Sequence, residues 1–594
     1  EESVISLTIS FELCVTSRLK AHCSKFTAQF MIHCNFHVFI KSVILFTLLI
    51  LSPLFFVVEQ LNAQSNAKQN PPKRELRGVW IASVFNIDYP RTPSVDDQSL
   101  AREWFDMLTK LKAIGINALF VQVRPTSDAF YRSKIEPWSM YLTGQSGVAP
   151  ANNFDPLSYM VQSAHEMGFE FHAWLNPYRV SMDNPNKSKF SPSHVINKHP
   201  EWCIFYNKRY ILNPGLPEVQ SHLNDVIGEL VTNYDIDGIH FDDYFYPYKE
   251  GNESFNDYET YSKLGIPQGF TNQDDWRRHN VDILMWQLSK TIKDLKPRVQ
   301  FGISPFGVWR NASKDPLGSK TQAGQTCYDD LYSDVRKWLQ EGWIDYVVPQ
   351  AYWQMGFSIA DYSNIVNWWA DNSFGKPVYV GHGAYRVGQT LSKEPAWKDP
   401  NEIPRQIKFA RSIPNVKGSV FFSAKTLLLN PLGVSDSLRY NYFNQIAIPP
   451  QVVKDTSLLM CEPPEIRELS YTNNYALLRW KPSIRTKRRL PFQYLVYRFK
   501  VGAVDFTNSK NIIAIVPYDT KQLQYIDKTA NDGESYLYAV TVVDCQNREA
   551  PADEVVALNK PQVKKPTIPT IDPNDSLKNK KKKRGFFGWL FNKG

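Results

Sequence analysis

Two adjacent carboxylates close a short apolar run in Asp237-Gly238-Ile239-His240-Phe241-Asp242-Asp243, and four aromatic residues (Tyr244, Phe245, Tyr246 and Tyr248) follow at once. Burying neighbouring aspartates on both faces of a strand carries a large desolvation cost. The pair is therefore expected at the C-terminal end of a strand, in a mouth rather than in a core. Carboxylates beside aromatic rings suit saccharide cleavage. Rings stack on the apolar faces of pyranose units, while acids move the proton or face the oxocarbenium-like charge. Asp242 is the first candidate because it ends the strand with His240 and Tyr244 beside it to orient or tune it. Asp243 alternates to the other face and reaches the same site only if the strand has already stopped. An N-cap or a strand-end ion pair is the alternative role for such a pair.

The elements that must hold these acids are legible around them. Apolar strands are expected at 78–82, 118–123, 170–175, 238–241, 300–303, 346–348, 378–380 and 419–422. Helical periodicity falls between them at 100–114, 157–167, 217–234, 274–295, 329–341, 361–371 and 402–411. This alternation predicts an α/β fold, a (β/α)8 TIM barrel over 73–445 with enlarged βα loops. An open doubly wound sheet is the alternative, but no glycine-rich phosphate turn follows the first strand. Barrel chemistry sits where strands end. Polar and aromatic residues stand there: Arg124 after the second strand, His172, Trp174, Asn176 and Arg179 at the third, Trp309 and Arg310 after the fifth, and Gln350, Tyr352 and Trp353 after the sixth.

Several ordered motifs carry a resemblance. Arg74-Glu-Leu-Arg-Gly-Val-Trp80, Val123-Arg124-Pro125, His172-Ala-Trp174-Leu-Asn176-Pro177-Tyr178-Arg179, Asp237 to Pro247, Ser304-Pro-Phe-Gly-Val-Trp309-Arg310 and Asp345-Tyr-Val-Val-Pro349-Gln350-Ala-Tyr352-Trp353 together resemble the glycosyl-hydrolase-like family 10 domain. The resemblance implies a TIM-barrel glycosidase. In bacteria it implies an enzyme acting on peptidoglycan glycan strands, in one known case strands stripped of their stem peptides. One departure is visible: Asn213-Pro214-Gly215 stands where Asp-Pro-Gly is expected, so that loop lacks an acid. On this reading Arg124, His172, Asn176, Arg179, Arg310 and Gln350 would hydrogen-bond hydroxyl, acetamido or lactyl groups. Trp174, Trp309, Tyr352 and Trp353 would serve as platforms.

A glycosidase ordinarily needs a second carboxyl group. Glu136, on the long loop after the second strand, is the remote candidate for proton donor; an ion pair with Arg132 or Lys134 is its alternative role. The run ending in Asp242 is also similar to the chitinase strand-four signature, with Tyr244 in place of the expected Glu. A substrate-assisted variant would let one acid orient the acetamido carbonyl while Asp243 protonates the leaving oxygen.

Composition narrows the partners. The chain has 594 residues, 14% of them aromatic, and a net charge of +9, of which seven positive charges lie within 578–594. With so little excess charge on the body, nucleic acid is not an expected partner; a polysaccharide is. No His/Cys/Asp spacing argues for a metal, and no cofactor is expected. Residues 1–63 are read as upstream sequence and a secretory signal peptide, with an apolar run at 43–58 and Leu61-Asn62-Ala63 before Gln64. This predicts a secreted or periplasmic protein; an uncleaved membrane anchor is the alternative. Residues 461–560 alternate in the strand period and resemble a fibronectin type III, Ig-like sandwich, with Trp480, Tyr494 and Tyr536 as its marks. Cys461 and Cys545 lie within it, paired or free. Residues 561–594 are expected to be a disordered tail with a basic run, 580–584, followed by aromatics, suited to an anionic membrane surface or polymer. The rival readings of the whole are a hydrolase of another polysaccharide and a non-catalytic glycan-binding barrel.

Overall fold

The computed structural model describes residues 71–558, apart from 183–184, 252, 390–393, 453, 473–474, 520, 522 and 531–533. The expected signal peptide and basic tail lie outside the described residues.

Eight parallel strands close a barrel: β1 (Leu76–Ile81), β2 (Ala118–Arg124), β3 (Glu170–Leu175), β4 (Gly238–Phe241), β5 (Gln300–Ile303), β6 (Tyr346–Val347), β7 (Val378–His382) and β8 (Val416–Phe421). They are hydrogen-bonded in sequence order, and β8 closes onto β1 with Leu76 opposite Gly418. The helices that return the chain are α1 (Asp97–Ile114), α2 (Pro156–Glu166), α3 (Pro217–Asn233), α4 (Gln273–Leu295), α5 (Val335–Gln340), α6 (Tyr362–Asp371), α7 (Glu402–Arg411) and α8 (Ala424–Leu429). Alternation along each strand sends one set of side chains to the helices and the other into the barrel. Leu119, Phe171, Ile239 and Phe301 belong to the outer apolar layer, while Phe120, Trp174, Tyr346 and Tyr379 fill the interior.

The largest departure from the expected elements is α5, which begins at Val335 rather than 329. The Asp334 side chain accepts from Lys337 N and caps the helix there, and Tyr332 has a left-handed backbone (φ 50°). The preceding residues belong instead to the β5–α5 loop.

Two glycines let the interior close. A Cβ on Gly238 would lie 2.2 Å from the His172 ring, and one on Gly302 would lie 2.0 Å from the Tyr346 ring. His172 pairs in register with Gly238, and Tyr346 with Gly302, so each ring leans over the adjacent strand's glycine. In the space thus made, His240 Nδ1 meets Tyr346 Oη (3.2 Å), and Tyr346 Oη meets His172 Nδ1 (2.9 Å).

The chain then forms two antiparallel sheets. Strands β9 (Ile466–Thr472), β10 (Tyr475–Trp480) and β13 (Gln524–Asp527) make one. Strands β11 (Pro491–Lys500), β12 (Ile512–Pro517), β14 (Tyr536–Asp544) and β15 (Val556–Ala557) make the other. Leu478 and Trp480 of the first share a core with Tyr494, Val496, Tyr538 and Val540 of the second. Cys461 and Cys545 are free thiols. This all-β region packs on the N-terminal ends of the barrel strands. Asn547 Nδ2 donates to Glu170 Oε1 (2.6 Å), and Lys454 Nζ reaches both Asp345 Oδ2 (2.5 Å) and Val299 O (2.7 Å).

Candidate active site

Strand β4 ends at Phe241, so Asp242 and Asp243 lie beyond the ladder and the strict alternation no longer separates them. Both line one cleft of about 390 Å³ at the C-terminal mouth of the barrel. That volume falls within the range of small-ligand sites. Trp80, Trp174, Arg179, Tyr244, Gln350 and Tyr352 share its wall.

Asp242 is held entirely by donors. Trp174 Nε1 donates to Oδ2 (3.1 Å), Tyr244 N to Oδ1 (3.2 Å), and Asn176 Nδ2 to both oxygens (3.1 Å each). The Asn176 amide cannot turn around, because its Oδ1 accepts from Arg179 N at 2.8 Å. Burial pushes the Asp242 carboxyl up from its ordinary range, while Arg179 and these donors oppose the shift. A proton on Asp242 would face donors on every side, so the hydrogen bonds favour its carboxylate.

Asp243 has a different shell. The Tyr248 hydroxyl donates to Oδ2, and the nearby Gln350 amide, whose Nε2 donates to Ser304 O (2.9 Å), also favours its charged form. Burial first, and the neighbouring Asp242 charge second, push its carboxyl up to about 6. Two acids in one cleft with unlike environments are what divides acid from base roles.

Other expected residues are placed unevenly. Trp174, Arg179, Tyr244, Gln350 and Tyr352 line the cleft, and Arg179 lies over the Tyr244 ring at 4.5 Å. Asn176 is fully buried and reaches the site only through Asp242. His172 and His240 are buried in the barrel one layer below; His240 Nε2 meets Trp80 Nε1 (3.3 Å) and Ser304 Oγ (3.0 Å). They support the floor and do not face the cleft. Trp309 stacks on Trp368 and donates from Nε1 to Asp334 (3.0 Å). Arg310 is tied to Asp329 and Asp315, and Trp353 packs edge-on against Phe306. None of these three lines the cleft: the β5–α5 loop turns the first two away, and apolar packing claims the third.

Glu136 is a correction. It does not share the cleft of Asp242 but lines another cavity with Lys134, His199, Trp202 and His222. Arg124 grips it from Nε (2.8 Å) and Nη2 (2.6 Å), and His222 Nε2 lies 3.0 Å from Oε1. Burial raises the Glu136 carboxyl, but Arg124 and His222 outweigh it and hold it at about 2. A carboxylate so held has no proton to donate at neutral pH. Arg124 is correspondingly fully buried, donating also to the carbonyls of Asn176 and Pro177, and is not available to a sugar.

This predicts that Glu136→Gln destabilises the fold by about 3 kcal/mol at neutral pH, since it strands a buried guanidinium. Its kcat falls far less than that of an Asp242 variant. The depressed carboxyl contributes stability above its ordinary pKa and loses it as pH falls toward about 2. The stability gap between wild type and variant should therefore be clearly smaller at pH 3 than at pH 7.

Sequence reasoning missed Trp80, Gln122 and Phe422 as cleft residues, whereas Tyr385, which follows the seventh strand, is expected at a strand end and lines the cleft. One signal for Gln122 was present: a polar residue in the otherwise apolar run Ala118-Leu-Phe-Val-Gln-Val123. Trp80 shares the inward face with Ala82, two residues on.

The profile of the family described as Glycosyl hydrolase-like 10 matches residues 75–399, which contain both aspartates and most of the cleft wall. The chain belongs to the Glycosyl hydrolase-like 10 family. The glycosyl hydrolase YngK of Bacillus subtilis is 40% identical over 522 residues, spanning 87% of this chain and 97% of YngK. The glycosyl hydrolase DigH of Escherichia coli K12 is 38% identical over 393 residues, spanning 62% of this chain and 88% of DigH. Among solved structures, the PgaB (BpsB) glycoside hydrolase domain from Bordetella bronchiseptica aligns at TM-score 0.40 and 13% identity, over 62% of this chain and 98% of that one. Within this Glycosyl hydrolase-like 10 chain, the cleft at the end of β4 is where the acids and the aromatic walls coincide.

Proposed function

We propose that this chain is a glycoside hydrolase acting on peptidoglycan-type glycan strands, with Asp243 as proton donor and Asp242 as the carboxylate facing the anomeric centre. The observation that carries the reading is the contrast between the two adjacent acids. Asp242 accepts from three donor groups, whereas Asp243 is pushed up to about 6 and so keeps its proton in mildly acidic solution, where an ordinary aspartate has lost it. Protonation of the glycosidic oxygen weakens the bond to the leaving sugar, and the Asp242 charge stabilises the cationic ring that develops. Trp174, Tyr244 and Tyr352 supply stacking surfaces, and Arg179 and Gln350 supply donors to ring substituents.

The peptidoglycan assignment draws on the family resemblance together with the N-terminal apolar run that fits export to the envelope. The all-β region is read as a fibronectin type III-like docking module; its division into three and four strands supports this. Export and any contact of the basic tail with an anionic surface belong to the same proposal.

Purified glycan strands freed of stem peptides should gain reducing ends on incubation with the protein, faster than chitin or glucans do. Binding to the strands without new reducing ends would replace the enzymatic reading with that of a glycan-binding barrel. Faster release from another polymer would retain the enzyme and change the substrate.

A further inference from the structure

The cleft wall formed by β1 and the loop after it is largely apolar: Ala82, Val84, Phe85 and Ile87 line it beside Trp80. Gln122 of β2 is a polar residue set against that wall. Its Oε1 accepts from Ser83 N (3.1 Å) and from Val84 N (2.9 Å). Turning the amide over would put its NH2 against two backbone N–H groups, so these bonds fix which end is which. Nε2 is the remaining end. It has no hydrogen-bond partner among the described residues, although Gln122 is 1% exposed. A buried donor left without an acceptor costs about 1–3 kcal/mol, which an arriving acceptor offsets.

We propose that Gln122 is a specificity-determining residue, donating from Nε2 to the carbonyl oxygen of a saccharide N-acetyl group whose methyl packs on Val84, Phe85 and Ile87. The donor calls for an acceptor oxygen, and the apolar residues beside it suit a methyl rather than a hydroxyl or an ammonium. A free amine at the same position presents only donors, opposing the Gln122 NH2 group. The assignment rests on the glycan reading of the cleft and adds the residue that selects the acylated sugar.

The test compares binding of an N-acetylated chito-oligosaccharide with that of its fully de-N-acetylated counterpart. It uses calorimetry on the full chain carrying Asp242→Asn, so that turnover does not intervene. The acetylated ligand should bind about tenfold tighter or more. Gln122→Glu, measured at pH 8, keeps an oxygen on Ser83 N and Val84 N, and those donors favour the ionised carboxylate. It should lose the preference or invert it, because a carboxylate repels the acetyl carbonyl and attracts the ammonium of the deacetylated sugar. Phe85→Ala, at a side chain 57% exposed, leaves the fold alone and should weaken only the acetylated ligand. Absence of preference in the parent, or an unchanged preference in a folded Gln122→Glu protein, would overturn the assignment. The wild-type chain separates the two readings: hydrolysis with selectivity indifferent to Gln122 sinks this inference alone. Gln122-dependent acetyl selectivity without hydrolysis sinks only the enzymatic reading.

Discussion

Asp242→Asn should lower kcat on peptide-free glycan strands by about 10³-fold or more, with little change in folding. The substitution keeps the size of the side chain but removes the negative charge to which Trp174 Nε1, Asn176 Nδ2 and Tyr244 N donate. It also turns one acceptor oxygen into an NH2 group that must confront those donors, so the local packing is disturbed at the reacting centre and not elsewhere. The loss should persist on nitrophenyl glycosides, because an ionised acid opposite the anomeric carbon is needed whatever the leaving group. Reducing-end release and nitrophenolate release measured on the same preparation check this. Full activity of the variant on both substrates would remove Asp242 from the chemistry.

The second large effect is expected at the neighbouring acid, with a different signature. Asp243→Asn should lower kcat on glycan strands by about 10²- to 10⁴-fold. Nitrophenyl glycosides should be largely spared, because a nitrophenolate departs without being protonated. In the wild type a general acid must hold its proton, so activity should fall as pH rises through about 6. That limb should be absent from the variant. Stability gives an independent check. The folded-state pKa of Asp243 is raised from 3.8 to about 6, so its ionisation opposes folding: the protonated form's contribution is complete below 3.8 and lost as pH rises through about 6. At about 1.36 kcal/mol per pKa unit, the variant should be more stable than the wild type by about 3 kcal/mol at pH 7 and equal to it near pH 3. A variant less stable at both pH values would show that Asp243 is structural.

The barrel was legible because its strands are buried on both faces and read as short apolar runs, with amphipathic helices between them. Gly238–Phe241 matched its expected span residue for residue. The two acids were legible because carboxylates after an apolar strand have few other places to go. Their neighbours were harder. Period two places His240 and Asp242 on one face, but it does not show that the cleft ends between them; a buried histidine and a cleft histidine look alike in sequence. Trp309 and Arg310 follow a strand as active-site residues do, yet Asp334, Asp329 and Asp315 hold them in the β5–α5 loop. Glu136 was read as a donor because loop contacts are invisible in a linear chain; Arg124 and His222 come to it from 12 and 86 residues away. Gln122 carried a sequence signal, a polar residue in a strand, but only its pinned oxygen shows which end of the amide is free to act.

The placement of the all-β region has a consequence for how the protein meets a large polymer. It covers the floor of the barrel, where Asn547 reaches Glu170 and Lys454 reaches Asp345, and the acids open at the opposite rim. If, as proposed, the β9–β15 region grips the polymer, the cleft would open on the side away from that grip, and the grip would not obstruct it.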